Sequence, residues 1–175
     1  FNIMYGEAGL TLLEERMDAL LARDEATVNA FVERSLLFKK PFVEEDEFDR
    51  GRRVLLNFGH TFGHAMETAS DYSIPHGTAV AMGTVMANRI SLMRGLISRE
   101  AAARMEKLLL PIIPTGAGEM SFRPEILAEA ARKDKKNVDA NLTAVLLHGD
   151  GTLTVVHDLQ KREIFDAFEA LKSLL

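Results

Sequence analysis

Leu10, Leu13, Met17, Leu20 and Leu21 recur at spacings of three and four, the stripe of a helix that turns one face to a core. Val28, Phe31, Val32, Leu36 and Phe42 continue the period and predict a second helix from Glu25 to Phe42, kinked or ended by Pro41. An acidic connection, Glu44-Glu45-Asp46-Glu47-Phe48-Asp49, follows. A helical segment is expected from Val54 to Ser70, and after the Ser73-Ile74-Pro75 loop another from His76 to Arg94, closed by Gly95. Ser98 and Glu100 mark the start of a helix that reaches Leu110, and Pro111, Pro114 and residues 115–118 mark a loop. Pro124 suits the first turn of a short helix over Glu125 to Arg132. The period then changes to two. Leu142 to Leu147 and Thr152 to Val156 flank His148-Gly149-Asp150-Gly151 as a β-hairpin, and Ile164, Phe165, Phe168, Leu171 and Leu174 end the chain on an amphipathic helix. The fold class is mainly α with one small hairpin, and residues 1–175 are expected to form a single domain.

Composition changes this picture little. The 175 residues are 47% hydrophobic and 27% charged, within the range of globular domains. No apolar run approaches the roughly 20 residues that cross a bilayer, so no membrane association is expected. The absence of cysteine excludes disulfides and thiolate metal sites, leaving histidine and carboxylates as ligands. With no secretion signal and no cysteine, a cytoplasmic location is expected. A net charge of −5 argues against a general nucleic-acid binder. The first residue is Phe1, which suggests a piece of a longer protein with some functional residues upstream.

Three of the five histidines, His60, His64 and His76, fall within 17 residues. His60 and His64 are four apart, so on a helix their rings share a face and could bind one divalent ion. The metalloprotease H-E-x-x-H pattern fails because Thr61 stands where its glutamate belongs. One of the pair could instead bind metal with His76 while the other contacts substrate, or the pair could be structural; spacing leaves these open. Gly59 and Gly63 precede the two histidines, and two glycines within a helix cost roughly 1 kcal/mol each against alanine. Such a helix needs another backbone or a ligand close by, and tight helix packing alone would also explain it. Lys39, Lys40, Arg50, Arg52 and Arg53, with Lys133, Lys135 and Lys136 later, would suit a phosphate or carboxylate if the fold gathered them beside the histidines. Gly116, Gly118, Gly149 and Gly151 match no phosphate-loop or dinucleotide fingerprint.

The run from Gly51 to Glu67, GRRVLLNFGHTFGHAME, closely resembles the signature of the 3-dehydroquinate synthase family. Pro75-His76-Gly77 and Ala79-Val80-Ala81-Met82-Gly83 resemble its next block, and Lys39, Asp46-Glu47 and Asp134-Lys135-Lys136 fall where the family has similar elements. The resemblance covers essentially the whole chain but only the helical C-terminal half of such an enzyme.

It implies a phosphate-eliminating lyase of the shikimate pathway that cyclises 3-deoxy-arabino-heptulosonate 7-phosphate to 3-dehydroquinate, using NAD and one divalent metal, zinc or another such as cobalt. It implies His60 and His76 as metal ligands, with a glutamate ligand and a substrate-binding lysine from a motif expected to end just before Phe1. By the same matching Lys39 and Arg53 contact the substrate's carboxylate or hydroxyls, Asn57 and His64 face its phosphate, Lys135 or Lys136 adds charge and Leu56 borders it. His64, Lys39, Arg53 and Asn57 are thus the expected catalytic set. Asp49 stands where the family has glutamate, as does Thr78 after His-Gly. The implied partners are the substrate, an N-terminal Rossmann-like domain that binds NAD and is absent from this chain, and a possible second copy in a homodimer. The 175 residues alone are expected to be inactive. Deoxy-inosose and valiolone synthases share the His60 motif, so another sugar-phosphate cyclase is an alternative, as is a noncatalytic helical binding module.

Overall fold

The computed structural model describes residues 1–48, 50–114 and 142–175. Asp49, Lys133, Lys135, Lys136, the loop at 115–118 and the helix expected over 125–132 lie outside the described residues.

The chain opens with a short 3-10 turn, Asn2–Tyr5, then α1 (Glu7–Leu21) and α2 (Glu25–Glu45). Asp24 caps α2, its carboxylate accepting from Thr27 N at 2.8 Å. A 3-10 helix, Arg52–Asn57, leads to α3 (His60–Ala69), α4 (His76–Met93) and α5 (Arg99–Leu109). Strands β1 (Leu142–Leu147) and β2 (Leu153–Leu159) form an antiparallel hairpin, and α6 (Lys161–Lys172) closes the described chain. Helices therefore dominate, with one two-stranded sheet among the described residues, as the periods predict.

The core is organised around α4. Eleven of its residues are buried, from Ala79 to Ser91, so its apolar character runs all the way round rather than along one stripe. It packs against α3, α5, α6 and β1. Phe62 and Met66 from α3, Met105 from α5, Leu146 from β1 and Phe168 from α6 fill the space around it. One polar contact within this core is Ser91 Oγ, which accepts from Leu147 N at 3.1 Å and fastens β1 to α4. The hairpin turn is fastened too, Gly149 N donating to Leu96 O at 2.8 Å. Arg94, at the end of α4, holds Glu163 on α6 at 2.6 Å and Asp158 on β2 at 2.8 Å.

Two helix predictions need correction. α2 does not stop at Pro41 but continues to Glu45. Proline forfeits one helical hydrogen bond, but its fixed φ is helical. Phe42 just beyond it is buried, packs on Phe38 with ring centres 5.3 Å apart and carries the Arg52 guanidinium over its face at 4.7 Å. Those contacts outweigh the lost bond. The second correction lies between Val54 and Ser70, which is two elements. The 3-10 helix ends at Asn57, Phe58 is extended, and Gly59 turns left-handed at φ 77 before α3 begins. The stripe on α1 is also less covered than its pattern suggests, with Leu10 packed on the core and Leu21 exposed.

Candidate metal centre

Gly59 is the N-cap of α3 rather than a residue inside it, so only Gly63 bears the helical cost. Both glycines answer to α4. A methyl group at Gly59 would run into Thr84 Oγ1, and one at Gly63 would come within 3.1 Å of Ala79 O and Val80 Cα. From the other side, a methyl at Gly83 would overlap Gly59 O and lie 2.6 Å from Gly63 N. The glycines thus let two helix backbones touch, which is the helix-packing explanation of their presence.

This contact sets the histidines. His60 is the first residue of α3 and His76 the first of α4, while His64 lies one turn along α3. The rings form a near-equilateral triangle, with centres 5.6 Å (His60–His64), 5.5 Å (His60–His76) and 5.9 Å (His64–His76) apart. His60 and His76 also line a cavity of about 250 Å³ with Leu56, Phe58, Val80 and Thr84.

Hydrogen bonds assign the ring protons. His60 Nδ1 lies 3.1 Å from Phe58 O, so it donates there and leaves Nε2 as a lone-pair donor. His76 Nδ1 lies 3.1 Å from Glu67 Oε1, with the same consequence. Burial holds the His60 imidazole below its ordinary value, against the raising effect of the Phe58 carbonyl, and His64 and His76 push the same way as burial. A neutral imidazole with Nδ1 engaged and Nε2 free is the form a divalent ion takes as ligand. The donor set therefore fits an ion.

Among the described residues, one set of three brings its donor atoms to ion-binding separation, and it does not include His60. One donor atom each from His64, Glu67 and His76 lie within 4.8 Å of one another. Glu67 was read in the sequence only as the last residue of a long motif; its position three after His64 was the available signal.

The other expected residues are more scattered. Leu56 is buried in the cavity wall. Lys39 reaches the same region from α2, its ammonium 5.3 Å over the ring of Phe1, which also lines the histidine cavity. Arg53 is turned to its own connection, donating to Glu47 O at 2.9 Å, and Asn57 donates to Val54 O at 3.0 Å. That connection is organised by Asp46, whose carboxylate accepts from the backbone N–H groups of Arg50 (2.9 Å), Gly51 (2.7 Å) and Arg53 (3.1 Å). These bonds, the one from Arg50 foremost, hold the Asp46 carboxyl below its usual range. Thr78 is half-buried in the first turn of α4. No described helix is long and apolar enough to cross a membrane.

Residues 1–137 match the family described as 3-dehydroquinate synthase C-terminal. Among similar curated proteins, the 3-dehydroquinate synthase of Pseudomonas aeruginosa (strain LESB58) is 43% identical over 172 residues, 95% of this chain and 45% of that one. That of Dichelobacter nodosus (strain VCS1703A) is 38% identical over 174 residues, 99% of this chain and 47% of that one. The chain thus spans less than half the length of these relatives. Among solved structures, 2-epi-5-epi-valiolone synthase from Streptomyces hygroscopicus subsp. jinggangensis 5008, with NAD+ and Zn2+ bound, superposes with a TM-score of 0.72 over 94% of this chain and 46% of that one at 22% identity, a likeness of fold. A 2-deoxy-scyllo-inosose synthase complexed with carbaglucose-6-phosphate, NAD+ and Co2+ gives 0.66 over 83% of this chain and 41% of that one at 25% identity.

Proposed function

The chain belongs to the 3-dehydroquinate synthase family, matching its C-terminal part, and from that premise we propose that it is the metal- and substrate-binding domain of a 3-dehydroquinate synthase. The observation that carries the reading is the pairing of His60 and His76, each with Nδ1 engaged and Nε2 left to an ion. The whole enzyme would cyclise 3-deoxy-arabino-heptulosonate 7-phosphate to 3-dehydroquinate with loss of phosphate. The NAD-binding half would lie in a longer chain or be supplied in trans, a second copy could complete a homodimer, and the cytoplasm would be the compartment.

The residues divide the work by charge. His60 and His76 would hold zinc, or cobalt in its place, and a glutamate from outside this chain would complete the set. The ion would supply Lewis acidity toward the substrate hydroxyls, the polarisation that oxidation by NAD requires. Lys39 would pair with the substrate's carboxylate or hydroxyls, with Arg53 after it turns from the Glu47 carbonyl. His64 and Asn57 would face the departing phosphate, with Lys135 or Lys136 adding charge. Leu56 would close one wall and keep water from the reacting carbons. Asp49 would border the same substrate.

Zinc affinity of the chain measured beside His60→Ala and His76→Ala tests this. Weak binding lost in both variants supports the reading; binding indifferent to both would make the histidines structural and the chain a noncatalytic helical module. The 175 residues alone are expected to show no turnover, and any turnover would overturn that expectation. A second reading, another sugar-phosphate cyclase, is favoured by the likeness in fold to the valiolone and deoxy-inosose synthases. A panel of phosphorylated sugars offered to the full-length enzyme separates the two.

A further inference from the structure

Glu67 has no role in the scheme above, yet its carboxylate lies against one of the two proposed ligands. We propose that Glu67 is a positioning residue that fixes His76 in the Nδ1–H tautomer and aims its Nε2 at the ion; this rests on the His60–His76 reading of the site. The geometry is built by the turn between α3 and α4. Asp71 and Tyr72 take left-handed backbone conformations, and Ser70 Oγ and Tyr72 N both donate to Glu67 O, at 3.0 and 2.7 Å. The chain reverses tightly there, and His76, nine residues on, comes back over the Glu67 side chain.

The contact is asymmetric in burial. The Glu67 side chain is 13% exposed and the His76 ring 58% exposed, so the carboxylate is the fixed partner and the ring the one being oriented. His60 shows the same device with a different acceptor, the carbonyl of Phe58. Two rings would otherwise be free to flip between tautomers and rotamers, and each is pinned by one acceptor at Nδ1. A carboxylate at that place also raises the electron-donating power of the opposite nitrogen. The pairing of Glu67 with His64 and His76 as three direct ligands is the rival use of the same carboxylate.

The test uses the full 175-residue chain labelled with 15N-histidine, with Glu67→Ala, Glu67→Gln, His60→Ala and His64→Ala variants. Long-range 1H–15N spectra of the metal-free protein above pH 8 read the tautomer of each ring without any ion present. The expected result is Nδ1–H for both His60 and His76. In Glu67→Ala, His76 alone should move to Nε2–H, and zinc affinity should fall about 10- to 100-fold. Glu67→Gln, which keeps an acceptor oxygen, should restore the tautomer and most of the affinity. Nε2–H at His76 in the unmodified chain would overturn the proposal, as would a tautomer indifferent to Glu67→Ala. Zinc binding abolished by His64→Ala and by Glu67→Gln, with a changed visible spectrum of the cobalt form, would make Glu67 a ligand and also overturn it. Zinc binding untouched by His60→Ala would instead remove the two-histidine metal reading while the Glu67–His76 tautomer result stood on its own.

Discussion

Replacing Gly83 by alanine tests whether the α3–α4 contact sets the candidate metal centre. The new methyl would meet backbone on the facing element, overlapping Gly59 O and standing 2.6 Å from Gly63 N. Ordinary contact begins near 3.4 Å, so the start of α3 must retreat by about 0.8 Å from the nitrogen alone, and further from the oxygen. Overpacking of this kind costs about 1–3 kcal/mol, and a clash against backbone belongs at the upper end. Alanine returns about 1 kcal/mol through its better helix propensity. The net expectation is a loss of about 2 kcal/mol, which for a chain of this length lowers the melting temperature by about 4–8 °C. The shift also carries His60 away from His76, so zinc affinity should fall about tenfold or more, through misplaced donors rather than missing ones. Circular dichroism melts and a zinc titration read both quantities. Gly77→Ala is the control for stability, because a methyl there meets nothing within 4 Å. A Gly83→Ala protein that melts with the unmodified chain and binds zinc equally would refute the argument.

Other expectations follow from the ion pairs and caps. Arg89 pairs with Glu106 at 2.7 Å beneath α5, and Glu106 is buried, its carboxyl raised by that burial against the pull of Arg89. Arg89→Met should therefore cost about 3 kcal/mol in denaturant unfolding, and a loss under 1 kcal/mol would show that the carboxyl finds water instead. Arg94 holds Glu163 and Asp158 below their ordinary values of 4.5 and 3.8, chiefly by its hydrogen bonds to them. The unfolded chain then takes up protons first as pH falls, so this stabilisation is full above about pH 4.5 and fades as pH drops through the lowered folded values. The gap in melting temperature between the unmodified chain and Arg94→Gln should be wide at pH 7 and close toward pH 3; a gap independent of pH would contradict the sign. Ser98 caps α5, accepting from Ala101 N at 3.2 Å, and Ser98→Ala should cost about 1 kcal/mol in the same unfolding assay, a neutral result meaning that water replaces the cap.

The parts of the fold that were legible in the sequence are those set by local period and local caps. Gly95 after α4, Ser98 before α5 and the hairpin around His148–Gly151 are each determined by a few adjacent residues. The break at Gly59 was not legible, because its cause is Thr84, 25 positions away on another helix. Pro41 misled for a similar reason, since the burial of Phe42 is a tertiary fact. At the site, the spacing of His60, His64 and His76 announced a cluster, and the rings do meet. Arg53 facing Glu47, and Glu67 facing His76, depend on how two turns reverse, which no spacing encodes.

That His60 and His76 each open a helix has an electrostatic consequence. The first turn of a helix leaves four backbone N–H groups without helical partners, and the aligned peptide dipoles place roughly half a positive charge there. Two such ends brought side by side make the mouth of the cavity electropositive before any side chain is counted. A bare cation gains less there than its nitrogen donors alone would give it, and an oxyanion gains more. Under the proposed function, joint occupancy would follow, the charge of an ion and the charge of an anionic substrate offsetting each other across the same two helix ends.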